Sequence, residues 1–373
     1  MSISESPALS AATEERVAVA SNWTLIWWRF RKHYLALASA FVLAVLYIVV
    51  LCPDFFSTQN PERTDARQAF IPIQPLHLFD GGGFSPWVPE VLGKRNPVTL
   101  RMEWKPDPNR KIRVKFFAPG TSYRVLGLFE TNVHLVAPAD AGKRIFLLGS
   151  DRLGRDQWSR IIHGTQTSMT VGLVAVALSV ILGVVLGGVS GYFGGLADQV
   201  IQRLIELLQS VPTIPIWLAL SAALPRDWTP TQVFFAITVI LSLVGWTTLG
   251  REVRGRFLAL REEDFVLAAK LAGCSQRRII LRHMVPTFLS HIIATSSLAI
   301  PVLIISETSL SFLGLGIRPP AISWGVLLQE AQNIQTLALA PWLLIPGLVV
   351  IIAVLAFNLV GDGLRDASDP YSR

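Results

Sequence analysis

Residues 161–197 read IIHGTQTSMTVGLVAVALSVILGVVLGGVSGYFGGLA, a run between Arg160 and Asp198 without one Asp, Glu, Lys or Arg. A bilayer core takes about 20 consecutive apolar residues of helix, so this stretch alone can cross one. Charge-free runs recur between Trp228 and Gly250 and between Ala331 and Gly361. The whole chain has 373 residues, 51% hydrophobic and only 16% charged, against roughly 25% in an ordinary soluble domain. Charge this scarce and this uneven excludes a soluble globular protein and a disordered chain.

Working outward from that run gives six expected membrane helices, at 34–51, 167–192, 204–224, 233–250, 288–307 and 341–359. Gly183, Gly187 and Gly191 stack on one face of the second and permit close helix contact. Pro212 and Pro215 fall in the middle of the third, where a proline bends or breaks a helix. Arg29, Arg31 and Lys32 put the N-terminus in the cytoplasm by the positive-inside rule. Residues 251–286 carry eight basic residues, the strongest inside signal in the chain. The layout is then a cytoplasmic segment 1–33, a first span 34–52, an outer domain 53–166, and spans two to six in 167–359. Residues 251–286 form a cytoplasmic loop and 360–373 a cytoplasmic tail. Within 1–33, residues 21–33 read either as an interfacial helix or as the start of the first span. The N-terminus is not a signal peptide, because its apolar stretch comes late and lacks a cleavage site.

The outer domain reads as β-rich. Strands are expected at 98–104, 111–117, 122–126 and 132–136, separated by Pro-Asp-Pro-Asn and Ala-Pro-Gly turns. Cys52 and Cys274 lie on opposite sides of this layout, so the fold does not rely on a disulfide. The formal net charge of +7 comes with no zinc finger or RNA-binding motif, and nucleic acid is not an expected partner.

Catalytic and metal patterns are missing. No P-loop, H-E-x-x-H or C-x-x-C occurs, and the six histidines have no ligand-like spacing. A six-span protein without an engine is driven by ions, gated as a channel, or driven by a separate ATPase. The spans carry almost no buried charge, which disfavours ion coupling; a structural or assembly membrane protein is the remaining alternative.

The loop after the fourth span adds the decisive pattern. Glu262, Glu263 and Asp264 favour a helix start, Lys270 its end, and Gly273 its stop. Ala268, Ala269 and Ala272 form a patch of small side chains. This segment resembles the EAA loop of ABC-transporter permeases of the binding-protein-dependent importer class, whose pattern is E-A-A-x-x-x-G, nine residues, then I-x-L-P. The chain has Leu267-Ala268-Ala269-x-x-x-Gly273, then His283-Met284-Val285-Pro286. Leu267 stands where the family has Glu, and His283 where it has Ile; the His-x-x-Pro form is similar to the dipeptide/oligopeptide subgroup.

Further stretches resemble that subgroup. They are Gly149-Ser150-Asp151 with Gly154-Arg155-Asp156 and Ser159-Arg160, then Gly191-Tyr192-Phe193-Gly194-Gly195 to Asp198. Phe312, Gly314 and Gly316 with Trp324-Gly325 match its second outer loop. Gly361-Asp362-Gly363-Leu364-Arg365-Asp366 through Asp369-Pro370 match the tail of its C-type permease subunit. The resemblance implies an all-α polytopic protein of the type I importer fold, six membrane helices with a β-rich extracytoplasmic insert between the first two. It implies a bacterial inner-membrane location, both termini cytoplasmic. It implies a second homologous permease, one or two P-loop ATPase subunits that hold ATP and Mg, and an extracytoplasmic substrate-binding protein. No cofactor is implied on this chain. Its role is alternating-access import of a peptide or a related small solute, without catalysis of its own. Residues 262–273 are implied to meet the ATPase. Ordinary members lack the stretch 67–145, which could contact the binding protein or the second permease, or decorate the rim.

Overall fold

The computed structural model describes residues 22–98, 102–125, 127–140 and 142–368. The expectations for 1–20, for a cap at Ser21, for part of the first strand (99–101) and for Asp369 and Pro370 lie outside the described residues. The chain opens with α1 (Asn22–Phe30), α2 (Tyr34–Leu51) and the single turn α3 (Pro53–Phe56). A turn at 31–33 separates α1 from α2, so residues 22–30 and the first span are two helices. The membrane body continues with α4 (Gln157–Phe193), α5 (Gly195–Ser210), α6 (Thr213–Ala222), α7 (Pro230–Leu260) and α8 (Asp264–Leu271). It ends with α9 (Leu289–Phe312), α10 (Trp324–Glu330), α11 (Ile334–Leu339) and α12 (Ile345–Ser368). Five helical stretches are long and apolar enough to cross a membrane, or six if α5 and α6 are one broken span.

Several boundaries differ from expectation, three of them for a plain local reason. The second span begins ten residues early, because the buried Asp156 carboxylate accepts the Ser159 amide at 2.8 Å and caps α4 at Gln157. The third is not one helix. Val211 precedes a proline and is extended (φ −105°, ψ 137°), as the ring of Pro212 requires. The chain turns 90° there. The ten residues of α6 rise only about 15 Å, too little for a bilayer core of about 30 Å. α5 before it is amphipathic, with Ile205 its one buried residue among those described. Finally, the expected tail at 360–373 is helical as far as Ser368. Gly361 lies against Leu298 and Gly363 against Ala36, so the last helix packs on both α9 and the first span.

The α4–α7 contact explains the glycine stack. A Cβ on Gly187 would stand 2.3 Å from the Gly250 carbonyl oxygen, and one on Gly191 2.6 Å from that of Arg254. No side chain fits there, so the two backbones touch. α7 starts on a capping box, Thr229 with Gln232, and runs ten residues past its expected end.

The insert is a four-stranded antiparallel meander, β1 (His77–Asp80), β2 (Gly83–Arg95), β3 (Met102–Val125) and β4 (Phe129–Pro138). Its core is small: Val88, Ile112, Val114, Val136 and Ile145. Neither expected internal turn forms. Glu90 pairs with Asp107 and Pro89 with Lys111, so Pro108–Arg110 bulge out of β3 instead of reversing it. The second expected turn is another irregularity, between Pro119 and Tyr123. Gly120 approaches the His134 ring there so closely that a Cβ would be 2.5 Å from it.

Candidate functional site

The segment after α7 folds back on itself. α8 is stopped by two bonds of a Schellman turn, Gly273 N–H to the Lys270 carbonyl and Cys274 N–H to that of Ala269, both 3.0 Å. Gly273 sits at φ +72°, open to solvent, which is why a glycine ends this helix. Val266 and Ala269 point inward and join Phe257, Ile279, Met284 and Phe288 in one buried cluster. Ala269 therefore does not belong to an exposed small patch. The face opposite carries Leu267, Ala268 and Leu271, with Leu271 89% exposed, and Ala272 flanks it. Leu267 and Leu271 thus form an exposed apolar ridge on this short helix, with Glu262, Glu263 and Asp264 exposed before it. Glu263 precedes the first turn without a side-chain cap bond, and Asp264 lies in it.

After the turn, Gln276–Arg278 is one turn of α-helix, Ile279–Met284 is π-helical and Val285–Phe288 is 3₁₀ before α9 begins. His283 is half-buried in the π turn, and Pro286 opens the 3₁₀ turn, where its missing N–H leaves no orphan. The helix rod thus runs from Gln276 to Phe312.

Two side chains brace this unit against the bundle. Asp198 on α5 takes Arg254 of α7 through both oxygens, at 2.6 and 2.7 Å, and also accepts from Ser190. The Lys270 ammonium lies 5.8 Å from the Tyr192 ring centroid. Gly194 (φ +66°) and Gly195 (φ +57°) form the tight corner that lets α5 turn back. Tyr192, Gly194, Gly195 and Asp198 were motif positions; nothing in the sequence paired them with Arg254 or with Lys270, which was read only as the basic end of a helix.

At the other end of α4 the motif 149–160 is a buried ion cluster. Asp151 is fully buried and accepts the Arg155 side chain and Arg160 Nη1, each at 2.6 Å, together with the amides of Leu153 and Arg155. Both arginines also reach Glu330 at the end of α10, at 2.7–3.0 Å. Burial pushes the Glu330 carboxyl up, but Arg160 and Arg155 outweigh it and hold it below the usual range. Asp156 has no cation in contact; burial pushes its carboxyl up, opposed by bonds from Ser159 and Thr58. Gly154 (φ +71°) lies so close to the Asp65 carbonyl that a Cβ would be 2.0 Å away, and Gly149 (φ +77°) is covered by Trp342.

The second outer loop closes on the same region. Trp324 is buried, its indole donating to Thr165 Oγ1 at 3.2 Å and its amide to Ser168 Oγ at 3.1 Å. Ser168 and Ser311 both donate to the buried Glu307, at 2.9 and 2.8 Å. Gly325 sits where a Cβ would stand 2.4 Å from the Thr308 carbonyl, Gly316 packs on Ser311, and Gly314 takes φ +78°. Phe312 is partly exposed at the end of α9. On α12, Asp362 and Arg365 are exposed, and Asp366 lies 3.4 Å from His33. Glu330, Thr58 and Trp342 carried no signal in the sequence, since each lies outside any motif and acts through a distant partner; Glu307 stood out only as a charge near the end of a span, not through Ser168.

Between these two ends, α4, α5, α6, α7 and α9 line an open cleft of about 400 Å³. Its walls are aliphatic, with the hydroxyls of Ser179, Thr213, Thr247, Thr248, Thr295 and Ser296 and the Gln209 amide; no charged side chain lines it. The Trp217 indole N–H in its wall is buried and has no hydrogen-bond partner among the described residues.

Comparison with known proteins fits this geometry. Residues 179–373 match the family described as binding-protein-dependent transport system inner membrane component. Residues 21–75 match the N-terminal TM domain of oligopeptide transport permease C. The chain is 39% identical over 226 residues to the oligopeptide transport system permease protein OppC of Escherichia coli (strain K12), covering 60% of this chain and 72% of that one. It is 35% identical over 226 residues to the OppC of Bacillus subtilis (strain 168), with the same coverage. It is 38% identical over 223 residues to the dipeptide transport system permease protein DppC of Alkalihalophilus pseudofirmus, covering 60% of this chain and 71% of that one. A solved structure titled for inward-facing conformations of the MetNI methionine ABC transporter covers 57% of this chain and 97% of its own, at 16% identity and a TM-score of 0.44. On the match over 179–373 and on these relatives, the chain belongs to the binding-protein-dependent transport system inner membrane component family, as a non-catalytic C-type permease subunit.

Proposed function

We propose that this chain is the membrane path and coupling element of an ATP-driven importer of peptides or a related small solute. It works with a second permease, one or two P-loop ATPases and a substrate-binding protein outside. The single observation that carries this reading is the apolar ridge Leu267–Ala268–Leu271 on α8. It is seated on a cluster shared with α7 and the Gln276–Phe312 rod, so a push on the ridge reaches two long helices at once. Glu262, Glu263, Asp264, Ala268, Ala272 and Gly273 form the contact and its stop; Ala269, His283 and Pro286 shape the support behind it. Leu267, in place of the family Glu, makes the contact more apolar.

The reading orients the chain with 1–33, the loop 251–286 and residues 360–373 in the cytoplasm and 53–166 outside an inner membrane. α5 and α6 together serve as the third of six spans. The cleft supports an uncharged path: hydroxyls and an amide offer hydrogen bonds to peptide groups without trapping an ion.

A pull-down of the tagged chain in lipid nanodiscs is expected to bring a second multi-span permease and a P-loop ATPase in stoichiometric amounts. In that complex, Leu271→Glu should lower substrate-stimulated ATP hydrolysis at least tenfold while the complex still assembles in the membrane. Gly273→Val, which forces a β-branched residue into the left-handed region at about 1–2 kcal/mol, should lower it less. Unchanged stimulation in both variants overturns the coupling role.

A further inference from the structure

We propose that the tip of the β3–β4 hairpin is a membrane anchor, seated in the lipid interface beside the outer end of α2. Hairpin turns are ordinarily polar and Gly/Asn/Asp-rich. This one carries Val125, Gly127, Leu128 and Phe129, and its nearest charges, Arg124 and Glu130, face each other across the ladder. Leu128 and Phe129 are 73% and 72% exposed, although both are large and apolar. The tip holds its shape: the Leu128 amide donates to the Val125 carbonyl at 2.9 Å, and Gly127 supplies the left-handed turn at φ +73°. The exposed side chains are thus presented rather than trailing.

Location identifies the occupant. Tyr123, Arg124, Val125 and Gly127 line one cavity together with Leu51 and Cys52. Leu51 is the last residue of α2, whose 18 residues rise about 27 Å, close to the thickness of a hydrocarbon core. The tip therefore lies at the level where that core meets the headgroups. The outward surface of α2 there is apolar and open, with Ile48 54% and Leu51 56% exposed. Leu128 and Phe129 continue this lipid-facing surface past the helix end. Phe117, also exposed, packs on Phe55 of α3 at 6.0 Å between ring centroids and fixes the sheet to the same level. Arg124 is exposed on the flank, at headgroup depth, where a cation meets phosphate. The β1–β2 turn of the same sheet, Gly81–Gly82, meets no neighbour within 4 Å, and the exposed Phe79 and Phe84 beside it pack edge to face on each other at 6.0 Å.

The test uses the full-length chain in nanodiscs of phosphatidylethanolamine and phosphatidylglycerol, with Cys52→Ala and Cys274→Ala. A nitroxide at Leu128→Cys is compared with one at Ile48→Cys for lipid and one at Gly82→Cys for water. Oxygen should relax the Leu128 label as it does the Ile48 label. A water-soluble nickel chelate should reach it at least fivefold less than it reaches the Gly82 label. Nickel access equal to that at Gly82 overturns the proposal, and so does a label shielded from both reagents, the signature of a protein partner. The unsubstituted chain gives an independent reading with a phospholipid carrying a diazirine in its acyl chain. Label on the 128–129 peptide supports the anchor; label on α2 with none on 128–129 overturns it.

Discussion

Asp151 in the helical body collects four donors and has no exposed surface, whereas Asp80 in the insert takes one lysine and keeps a third of its side chain in water. The difference runs through both regions. The body is held by contacts that leave no room for another atom: glycine against carbonyl along α4 and α7, and buried carboxylates against arginines at its outer end. The insert is held by a small apolar core and a ladder, with its charges at the surface. Nine of its strand-region residues between 94 and 124 are basic, and 67–145 holds twelve basic and six acidic residues of the 33 and 26 in the chain. The arithmetic is +6 in the insert against +1 everywhere else. Precision sits where helices must move as units; the insert only has to stay attached and carry its surface.

The largest expected effect tests the body's buried charge. Asp151→Ala strands Arg155 and Arg160 against Glu330 alone, and removing one partner of a buried ion cluster costs about 3–5 kcal/mol. Thermal unfolding of the purified chain should show a drop of that size, and α10 should become protease-sensitive first. Acid should act on the same cluster. Glu330 is held below the ordinary carboxyl range, so its contribution is complete above that range and is lost as pH falls through the lowered value. The melting temperature of the native chain should therefore fall more steeply than that of Glu330→Gln as pH drops below the ordinary carboxyl value of about 4. Equal slopes would show that another group carries the acid response.

Next in size is the helix contact. Gly187→Ala places a Cβ 2.3 Å from a backbone carbonyl that no rotamer can move. Overpacking of this kind costs about 1–3 kcal/mol, and α4 and α7 must separate to relieve it. Gly255→Ala on the same α7, where a Cβ meets nothing within 4 Å, should be neutral or slightly stabilising, since Ala is the better helix former by about 1 kcal/mol. A matched loss at both positions would mean that the close backbone approach at Gly187 is not what makes that position sensitive.

Much of this contrast was legible beforehand in the body and little of it in the insert. The apolar runs marked α2, α4, α7, α9 and α12, because lipid tolerates only continuous apolar helix; the start of the Gln276–Phe312 rod, with Arg277, Arg278 and Arg282, lay in the expected loop. The glycines of 149–160, 183–195, 314–325 and 361–363 were legible as a motif, and the structure supplies their reason in left-handed turns and close approach. What the body hid was pairing across distance: nothing local links Arg160 to Glu330, or Ser168 to Glu307. The third span was expected to bend or break at its prolines, and it breaks before Pro212. The stronger constraint is on Val211, which the proline forces out of helix. In the insert, Pro-Asp-Pro-Asn and Ala-Pro-Gly carry turn residues, yet pairing on both sides of each site kept β3 a single strand and absorbed the extra residues as bulges. On α8 the stop at Gly273 was legible from the residue type. The inward face of Ala269 was not, because small side chains give no amphipathic signal.

The smallest expected effect lies in the insert's own charges. The Lys111 ammonium sits 2.6 Å from Asp80 and 4.6 Å from the Trp87 ring centroid, so it makes an ion pair and a cation–π contact together. Both partners are about a third exposed, and water and salt screen such a pair. Lys111→Ala should then cost no more than about 1 kcal/mol, and 0.5 M salt should remove most of that difference. Trp87 also stacks on His77 at 4.4 Å, so the ring keeps a neighbour after the lysine is gone. A loss as large as that of Asp151→Ala would erase the distinction between the regions, and would mean that the sheet depends on its surface charges as the bundle depends on its buried ones. A small, salt-sensitive loss would keep the distinction and leave Arg113 and Lys115, exposed along β3 beside Lys111, free to act outward rather than to hold the fold.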